Sequence, residues 1–510
     1  MAEKYLIGVD LGTSATKSVL YRTDGSIVAE ANLEVPLYYP KPGVVEQEND
    51  DFYNTASVTV RNCIEQSGIE PSQVAAIGFD SQMAGIGSID ENFQPATRFD
   101  SWLDMRCQLY IDQMDQKAGE RIIQLTGCPP TCDHGPKILW WMHERPKEYS
   151  RIAKFITPAG FVAGKMGGLK AEQAFMDYTF IHFTGLCDSQ NFCWSNELCS
   201  LFNVDINKLP QIVKPWDMVG EVTDQASRDF GLKAGTPIAA GCGDTAACAL
   251  GAGIVKPGMV YDIAGTASAL AATTDQFVAD VKNRTLLCMH SVIPGIYNPL
   301  AYIAGGGIAL RWFRDRFYNT NRGETQAMDH DLYDEMIASA AKIDPGCDGL
   351  SFSPHLGGRI CPSATDMRGA WLGFSWGHTQ DHFFKAILES IAYEYAFYLK
   401  ILRDQLPNLE LEEARVVGGG ARNMIWNQIK ADVLGIKYQS LKHNEFGAWG
   451  AALIAGKAID LFDDLTSKAI ETSAPLGNPV NPDPSRHELY VNLVDKYIAT
   501  QDMLEKYYRK

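Results

Sequence analysis

One short sequence pattern occurs twice in this chain of 510 residues. YLIGVDLGTSATKSVL, at residues 5–20, is similar to GMVYDIAGTASALAAT, at residues 258–273. Each copy has an apolar run, an acidic residue and a Gly-Thr pair, in an order typical of two strands joined by a tight turn. The repeat predicts two related α/β domains that face one cleft, with a boundary near residues 251–257.

The residues around the first copy predict a three-stranded antiparallel meander. Apolar and polar residues alternate over 5–10, 15–21 and 26–35, and Asp24-Gly25 is suited to the second turn. Further along, 52–66 and 136–143 have helical periodicity, and these alternate with short apolar strands. These strands include 74–79 and 237–240. The alternation is typical of an α/β protein.

Three regions follow from this organisation. We predict one domain over 1–250, a second over 251–480 and a helical tail over 481–510. In the tail, apolar side chains recur every four residues, which predicts that it packs on the body of the protein. These are Leu489, Leu493 and Tyr497.

Charge and hydropathy restrict the class of partner. Lys and Arg number 45 against 62 Asp and Glu, a net charge of −17, so nucleic acid or an anionic membrane surface would be repelled. The apolar tract 237–260 is interrupted by charged residues, and the first residues lack the pattern of a secretory signal. We therefore expect a cytoplasmic protein that acts on a small molecule, with no nucleic acid and no membrane as partner.

The 12 cysteines are expected to be reduced, because nothing in the sequence indicates an oxidising compartment. Cys128, Cys132 and His134 hint at a metal site. A closed zinc site needs four ligands, and no second pair lies at a suitable spacing, so we expect no structural zinc.

The first copy of the repeat carries residues suited to a phosphate group. Gly12 precedes the hydroxyls of Thr13 and Ser14, so backbone N–H groups can approach a phosphate there. Asp10 could hold hydrated magnesium, and Lys17 follows nearby. An ordinary hairpin turn with solvated polar residues explains these residues equally well.

Two further glycine turns complete this pattern. Gly265-Thr266 is the matching turn of the second copy and could bind phosphate from the opposite wall, with the Ser268 hydroxyl nearby. Gly418-Gly419-Gly420 follows an apolar strand and precedes a helix. One glycine would be enough for a tight turn, so three favour close approach of a ligand to the backbone.

Asp244 is the candidate catalytic base. It follows the strand at 237–240 and Gly241-Cys242-Gly243, and it precedes a helix of small residues. The alternative is an ordinary helix N-cap, for which aspartate is a favoured residue. Its place at a strand end between the two repeats favours a base in the cleft.

A polyol pocket is indicated by a second group of polar and aromatic residues. An aromatic wall, an amide, a carboxylate and a guanidinium suit a sugar, because hydroxyls need polar partners and the carbon skeleton needs a flat apolar face. Each residue could instead be structural, and a buried Trp usually belongs to the core. The residues are Gln82, Met83, Ala84, Trp102, Asp104 and Arg106.

With these motifs in order, the sequence resembles the FGGY carbohydrate kinases of the actin-like ATPase superfamily over nearly its whole length. The stretch 369–389 also looks like a signature of that family, with Phe374 where an aliphatic residue is usual. The matching motifs are DLGTS at 10–14, WLDMR at 102–106, PKILW at 136–140, GCGD at 241–244 and GGGA at 418–421.

The resemblance implies two ribonuclease-H-like domains around a central cleft, with the sugar bound mainly by the first and ATP by the second. It implies that Asp244 is the general base and that Asp10 organises Mg²⁺ and the transferring phosphoryl group. Thr13, Ser14, Gly265 and Thr266 would hold phosphates, and Gly419, Gly420 and Ala421 would border the adenosine.

Within the family the resemblance is greatest to the xylulokinases, which implies a ketopentose such as D-xylulose, phosphorylated to the 5-phosphate. Three residues depart from that pattern: Ala84 replaces a histidine, Thr245 an asparagine and Leu103 an asparagine. Loss of these hydrogen bonds can change which sugar is preferred. An L-ketopentose, a ketohexose or a tetritol is therefore an alternative substrate, with Thr245 among the substrate-binding residues.

Two other functions are compatible with the nucleotide motifs. An actin- or chaperone-like ATPase would hydrolyse ATP while acting on a protein partner, and an inactive relative would only bind a ligand. The sugar-pocket residues argue against the first, and retention of Asp10 and Asp244 argues against the second. An amphipathic surface helix could also mediate a homodimer.

Overall fold

The structure is a computed structural model that describes residues 3–265, 267–318, 329–442 and 445–509. Over these ranges, no helix has the length and apolar character needed to cross a membrane. The chain forms two α/β halves, each built on a central mixed sheet. The repeated α/β plan predicted from the sequence is confirmed.

The first half contains a central sheet, of which the meander is a part, and several small sheets. Its strands are β1 Tyr5–Leu11, β2 Ala15–Arg22, β3 Ile27–Glu34, β4 Glu46–Gln47, β5 Val74–Ser81, β6 Ile86–Ile89, β7 Pro95–Asp100, β8 Lys154–Ile156, β9 Phe175–Asp177, β10 Cys187–Asp188, β11 Cys193–Trp194, β12 Gln211–Val213, β13 Met218–Glu221, β14 Pro237–Ala239 and β15 Cys242–Gly243. Its helices are α1 Asn49–Ser67, α2 Gln108–Thr126, α3 His134–Glu144, α4 Pro146–Arg151, α5 Pro158–Gly167, α6 Asn196–Phe202, α7 Asp224–Phe230 and α8 Asp244–Gly251.

The second half repeats the sheet and carries the longest helices. Its strands are β16 Met259–Ala264, β17 Ser268–Ala272, β18 Leu287–His290, β19 Tyr297–Ile303, β20 Ser351–Ser353, β21 Ala370–Leu372, β22 Glu413–Val417 and β23 Lys437–Ser440. Its helices are α9 Gly306–Phe313, α10 Asp329–Ala340, α11 Gln380–Gln405, α12 Met424–Leu434, α13 Phe446–Ala458, α14 Leu465–Thr472 and α15 Pro484–Tyr508.

The first central sheet has the strand order β13-β14-β5-β1-β2-β3. β1, β2 and β3 pair antiparallel, as predicted, and β5 pairs parallel with β1. This register places Asp10 on β1 directly beside Asp80 on β5. Because parallel neighbours in register point their side chains to the same face, the two carboxylates project together.

Helices cover both faces of this sheet. On one face, α1 meets β2 through hydroxyl pairs at 2.7 Å, Thr16 with Thr55 and Ser18 with Thr59. On the other face, α13 packs so closely that a Cβ added to Gly8 would lie 1.7 Å from the Ala448 carbonyl oxygen. A helix that follows the second sheet in the chain therefore packs on the first sheet.

The second central sheet has the order β18-β19-β17-β16-β22-β23. β16 and β17 form the antiparallel hairpin of the second repeat, and β22 pairs parallel with β16, as β5 does with β1. The two sheets thus share a three-strand plan. The acidic residue of the repeat, however, differs in its distance from the Gly-Thr pair. Asp262 lies three residues before Gly265, whereas Asp10 lies two residues before Gly12.

That offset of one residue turns Asp262 away from the cleft, because successive side chains on a strand point to opposite faces. Asp262 and Lys430 form a fully buried ion pair at 2.6 Å, and the Tyr395 hydroxyl donates to the same carboxylate at 2.9 Å. Asp262 therefore belongs to the core of the second half, so the acidic residue of the repeat has a different environment in each copy.

The C-terminal helix α15 packs on α11 and α12, as predicted for the tail. Tyr490 donates to Glu389 and Tyr497 to Glu394, each at 2.8 Å, and both glutamates are buried. The predicted packing face is only partly right, because Leu489 is 47% exposed. The buried residues of α15 are Tyr490, Val494, Tyr497, Gln501 and Leu504.

Candidate active site

Three carboxylates converge where strands of the first sheet end. Asp10 and Asp80 are register partners on β1 and β5, and Cys242 on β15 is paired with Asp80, two residues before Asp244. The ends of parallel strands are the usual position of ligand sites in open α/β sheets. Asp80, which lies on β5 two residues before the predicted pocket residue Gln82, was not among the predicted site residues.

Asp244 is the first residue of α8, and Gly243 occupies the N-cap position. The N-cap alternative is therefore wrong. Oδ1 of Asp244 accepts hydrogen bonds from the backbone N–H of Thr245 at 2.6 Å and from its hydroxyl at 3.1 Å. Burial raises the pKa of Asp244 to about 6, against the lowering effect of these two bonds. Above that pH the side chain is a carboxylate that can accept a proton.

Asp10 is partly exposed at the end of β1. Burial and the nearby charge of Asp244 raise its pKa to about 7. Lys17 is the register partner of Asp10 on β2, and its ammonium group is bound by Glu30 at 3.1 Å and Glu445 at 2.8 Å. The charge of Lys17 is therefore balanced by two glutamates, and a contact with phosphate stays a prediction.

Asp80 is fully buried beneath the first turn of α13. A Cβ added to Gly447 in that turn would lie 3.5 Å from each carboxylate oxygen. Neither oxygen accepts a hydrogen bond from the described residues. Burial and the charges of Asp10 and Asp244 raise the pKa of Asp80 well above its usual range.

Sequence reasoning missed Asp80 because it ended the strand at Phe79, whereas β5 continues to Ser81. The signal was present in the sequence: an acid terminates an apolar run, as Asp10 does on β1. Aligning the ends of these two strands would have identified the pair.

The first predicted phosphate turn is a tight, partly exposed hairpin. The Gly12 N–H donates to the Ala15 carbonyl at 3.1 Å, and a Cβ on Gly12 would lie 2.9 Å from that oxygen. Glycine is therefore required for this turn. Thr13 is partly exposed and Ser14 is exposed, so both hydroxyls can reach a ligand.

The matching turn of the second half includes Gly265, which is partly exposed and accepts a hydrogen bond from the Gly307 N–H at 3.1 Å. Thr266 lies outside the described residues. Ser268 is fully buried against Gly306, where a Cβ would lie 2.0 Å from the Ser268 hydroxyl oxygen, so this hydroxyl is not open to a ligand.

The triple-glycine turn joins β22 to α12, as predicted. Gly418 has a φ of 88°, and Gly419 is exposed with no atom within 4 Å of the position that a Cβ would take. Gly420, by contrast, packs so that a Cβ would lie 2.6 Å from the Trp426 ring. Gly418 and Gly420 are therefore needed for the conformation and packing of the turn. Gly419 leaves open space near the partly exposed Ala421.

Trp102 is 43% exposed, so it is a surface-facing aromatic and not a core residue. Its indole N–H donates to the Thr13 hydroxyl oxygen at 2.9 Å, and that hydroxyl donates to Oε1 of Gln82 at 3.3 Å. Gln82 also donates from Nε2 to Gln47 at 2.8 Å. The predicted sugar pocket and the first phosphate turn are thus joined by hydrogen bonds.

Asp104 and Arg106 pair mainly with each other. Asp104 is fully buried, and Nε of Arg106 lies 2.9 Å from both carboxylate oxygens. Asp104 also accepts from the Val45 N–H at 2.7 Å, and Arg106 donates to Glu46 at 2.7 Å. The pair holds its loop in place, and its direct contact with a sugar stays a prediction.

Met83 lies beside the start of α8, and Ala84 is in contact with a buried lysine. A Cβ on Gly243 would lie 2.6 Å from the Met83 sulfur, so Met83 packs directly beside the start of α8. Ala84 has a φ of 61°, a strained conformation typical of functional sites. Its carbonyl accepts a hydrogen bond at 3.1 Å from Lys137, a fully buried residue within PKILW that was not among the predicted site residues.

The chain matches the sequence models of two domains that occur together. FGGY family of carbohydrate kinases, N-terminal domain, matches residues 5–251, and the C-terminal domain of the same family matches residues 260–459. The two matches together span most of the chain.

No group of three or more His, Cys, Asp or Glu side chains in the described ranges is placed to hold a metal ion.

Curated relatives match the chain over most of its length. A xylulose kinase of Staphylococcus epidermidis is 27% identical over 98% of this chain and 97% of its own length. A gluconokinase of Bacillus subtilis is also 27% identical, over 90% of this chain and 89% of its own length. Among solved structures, a xylulose kinase from Rhodospirillum rubrum matches with a TM-score of 0.89 at 25% identity, covering 99% of this chain and all of that one.

Proposed function

Because this chain belongs to the FGGY family of carbohydrate kinases and is an ATP-dependent enzyme of that family, we propose that Asp244 is its general base. Its two halves have the actin-like ATPase fold expected from the sequence. The observation that supports the proposal is the carboxylate of Asp244 directly after β15, near Asp10 and Asp80, with a pKa of about 6.

As general base, Asp244 removes the proton from the sugar hydroxyl as that oxygen attacks the terminal phosphorus of ATP. Thr245 binds Oδ1 through two hydrogen bonds, which leaves Oδ2 as the atom that accepts the proton. A base with a pKa just below neutrality is ionised in the cell and can still hold a proton. Alignment and charge neutralisation supply most of the remaining rate enhancement.

Asp10 is the residue that would hold magnesium. A single partly exposed carboxylate suits this ion, because Mg²⁺ usually keeps several waters and uses one or two carboxylates plus phosphate oxygens. Beside Asp10, both carboxylate oxygens of Asp80 lack a hydrogen-bond partner among the described residues. When bound, Mg²⁺ neutralises charge on the phosphates during transfer.

The two hairpin turns and the triple-glycine turn would hold the nucleotide. The Thr13 and Ser14 hydroxyls and the turn at Gly12 suit the transferring phosphate, and the partly exposed Gly265 would bind it from the second half. The open position at Gly419, next to Gly420 and Ala421, suits a flat adenosine. Closure of the two halves would exclude water from the reaction.

A ketopentose such as D-xylulose is the proposed substrate, with O5 as the acceptor. Trp102 supplies an exposed aromatic face, Gln82 is linked to it through the Thr13 hydroxyl, and Met83 packs against Gly243 beside Asp244. Ala84, next to Met83 in the chain, would complete the pocket. The relatives named above act on xylulose or gluconate according to their names, and Ala84 and Thr245 depart from the xylulokinase pattern. Other ketoses and polyols are therefore the alternatives.

A coupled assay of ADP release over a panel of sugars tests the proposal. The panel holds D- and L-ketopentoses, ketohexoses, tetritols, glycerol and gluconate, each with magnesium-ATP. We expect ADP release to depend on one of these compounds, most strongly on a ketopentose, and to be lost in Asp244→Asn. ADP release that needs no sugar would indicate a nucleotide-driven protein machine instead, and no release with any compound would contradict kinase function.

A further inference from the structure

Two cysteines lie against each other at the edge of the predicted sugar pocket. Cys107 directly follows Arg106 in the chain, and Cys132 lies two residues before α3. Their sulfur atoms are 3.6 Å apart. Cys107 is fully buried, whereas Cys132 is partly exposed, so solvent reaches part of Cys132 and none of Cys107.

A buried cation lies beside this thiol pair. The Lys137 ammonium is 3.7 Å from the Cys132 sulfur, and Lys137 is fully buried. The same ammonium donates to the Cys132 carbonyl at 2.5 Å and to the Ala84 carbonyl at 3.1 Å. The Lys137 ammonium therefore lies next to the thiol pair and also binds two backbone carbonyls of the pocket.

This environment favours the thiolate form of Cys132. A hydrogen bond from the Cys107 thiol and the charge of Lys137 lower the pKa of Cys132 below its usual range, against the opposing effects of burial and of the Asp104 charge. Burial, by contrast, raises the pKa of Cys63 and Cys288 to about 12. Because the thiolate is the nucleophile, Cys132 is set apart from these buried cysteines.

We propose that Cys132 is an oxidation site for hydroperoxides, and that Cys107 resolves the oxidised form into a disulfide that stops sugar phosphorylation. The geometry on which this rests is a partly exposed thiol with a second thiol and a buried ammonium in contact with it. The proposed kinase reaction does not require such a pair.

The chemistry takes two steps. The Cys132 thiolate attacks one oxygen of hydrogen peroxide, the O–O bond breaks, and hydroxide leaves and is protonated to water, which gives a sulfenic acid on Cys132. The Cys107 sulfur then attacks the Cys132 sulfur, the S–S bond forms, and the sulfenic oxygen leaves as water with the Cys107 proton. Two thiols lose two electrons in total, and one peroxide becomes two waters.

The disulfide would disturb the pocket from two sides. Its formation brings the sulfurs from 3.6 Å to a bond of about 2.05 Å. Cys107 would pull on the adjoining Arg106, and Cys132 would pull on the carbonyl that Lys137 binds together with Ala84. A misplacement of about 1 Å in a positioning group can lower an enzymatic rate by roughly 100-fold.

The test treats the full-length native protein with excess hydrogen peroxide and compares it with its own reduced form. Peptide mapping under non-reducing conditions should find the Cys107–Cys132 cross-link, with an intact mass lower by two hydrogen atoms. Kinase activity should fall by at least about 10-fold, and dithiothreitol should restore it.

Three single variants assign the roles. Cys107→Ser should stop at a sulfenic acid on Cys132 that dimedone traps, and Cys132→Ser should keep its activity in peroxide. Cys193→Ser replaces an exposed cysteine outside the pair, so it should respond to peroxide as the wild type does. Each variant is compared with its own reduced form, so a change in basal activity does not obscure the result.

Two outcomes would overturn the proposal: oxidised protein that lacks the Cys107–Cys132 cross-link, or cross-linked protein with unchanged activity. The mass measurements need no sugar. A failure of this proposal is therefore distinguishable from a failure to find the kinase substrate.

Discussion

Trp102 and Thr13 lie 89 positions apart in the chain, yet the Trp102 indole N–H donates to the Thr13 hydroxyl oxygen at 2.9 Å. Trp102 is the aromatic wall of the proposed sugar pocket, and Thr13 belongs to the proposed phosphate turn. The Thr13 hydroxyl in turn donates a hydrogen bond to Oε1 of Gln82 at 3.3 Å. Sugar and nucleotide would therefore be bound by residues that orient one another.

Replacing Thr13 with valine should weaken sugar binding. The change keeps the shape of the side chain and removes both hydrogen bonds, which leaves Trp102 and Gln82 without a partner there. We expect KM for the sugar to rise by about 5- to 10-fold, the equivalent of roughly 1–1.5 kcal/mol. Steady-state kinetics with both substrates varied would measure this. Thr13→Ser keeps the hydroxyl and should stay near wild type, and equal effects of the two variants would contradict the prediction.

Asp244→Asn should abolish turnover and leave nucleotide binding intact. The amide keeps the volume of the side chain but cannot accept the proton, so kcat should fall by about 100- to 10,000-fold. Calorimetric titration with magnesium-ADP should give an affinity close to that of the wild type. Turnover within a few fold of wild type would exclude Asp244 as the base.

The pH dependence of the reaction should report on Thr245. The hydroxyl of Thr245 lowers the pKa of Asp244, and burial raises it to about 6, so activity should fall as the pH drops through that value. Thr245→Val removes the side-chain hydrogen bond and should move the acid limb of kcat to higher pH. Thr245→Ser retains the bond and should leave the limb in place. Coincident profiles for the two variants would mean that the limb belongs to another group.

Asp80→Ala should stabilise the protein, and more so at higher pH. The pKa of Asp80 is raised in the folded state, so above its unfolded value the folded chain holds a proton that the unfolded chain releases. Stability is therefore lost as the pH rises from about 4 towards the folded pKa. Removing an unpaired buried polar group should recover about 1–3 kcal/mol at neutral pH. Thermal unfolding between pH 5 and pH 8 measures this, and parallel curves for variant and wild type would contradict it.

Much of the fold followed from the sequence, because strand alternation, glycine turns and the repeat all depend on local chemistry. The meander at 5–35 and the strand, turn and helix around 418–420 are where the sequence predicted them. Most of the predicted site residues also lie at strand ends or in turns. Local patterns are sufficient for these features.

The features that the sequence did not reveal have a common physical cause. The direction in which a side chain points changes when its position along a strand or helix changes by a single residue. Asp262 differs from Asp10 by one position relative to Gly-Thr, and this was enough to place it in the core. Asp80 becomes visible only when β1 and β5 are paired, and strand pairing cannot be read from one strand. Leu489 lies one residue away from the buried Tyr490, an error of one position on the helix.

The buried pair of Asp262 and Lys430 leads to a final prediction, about stability. Both side chains are fully buried, and the Lys430 ammonium also lies 4.0 Å from the centre of the Trp426 ring. Lys430→Met leaves the Asp262 charge without its partner in the core, which should cost about 3–5 kcal/mol of unfolding free energy. The double variant with Asp262→Leu removes both charges and should recover most of that loss.

Thermal unfolding of the single and double variants measures this coupling. Arg121 and Glu197 form an ion pair at 2.8 Å on the surface, so Arg121→Met is a matched control that should leave the unfolding midpoint near that of the wild type. If Lys430→Met lowered the midpoint no more than the control, the buried pair would contribute nothing to stability. Since Asp262 occupies the second copy of the repeat, recovery in the double variant would also show that this copy needs no acid for folding.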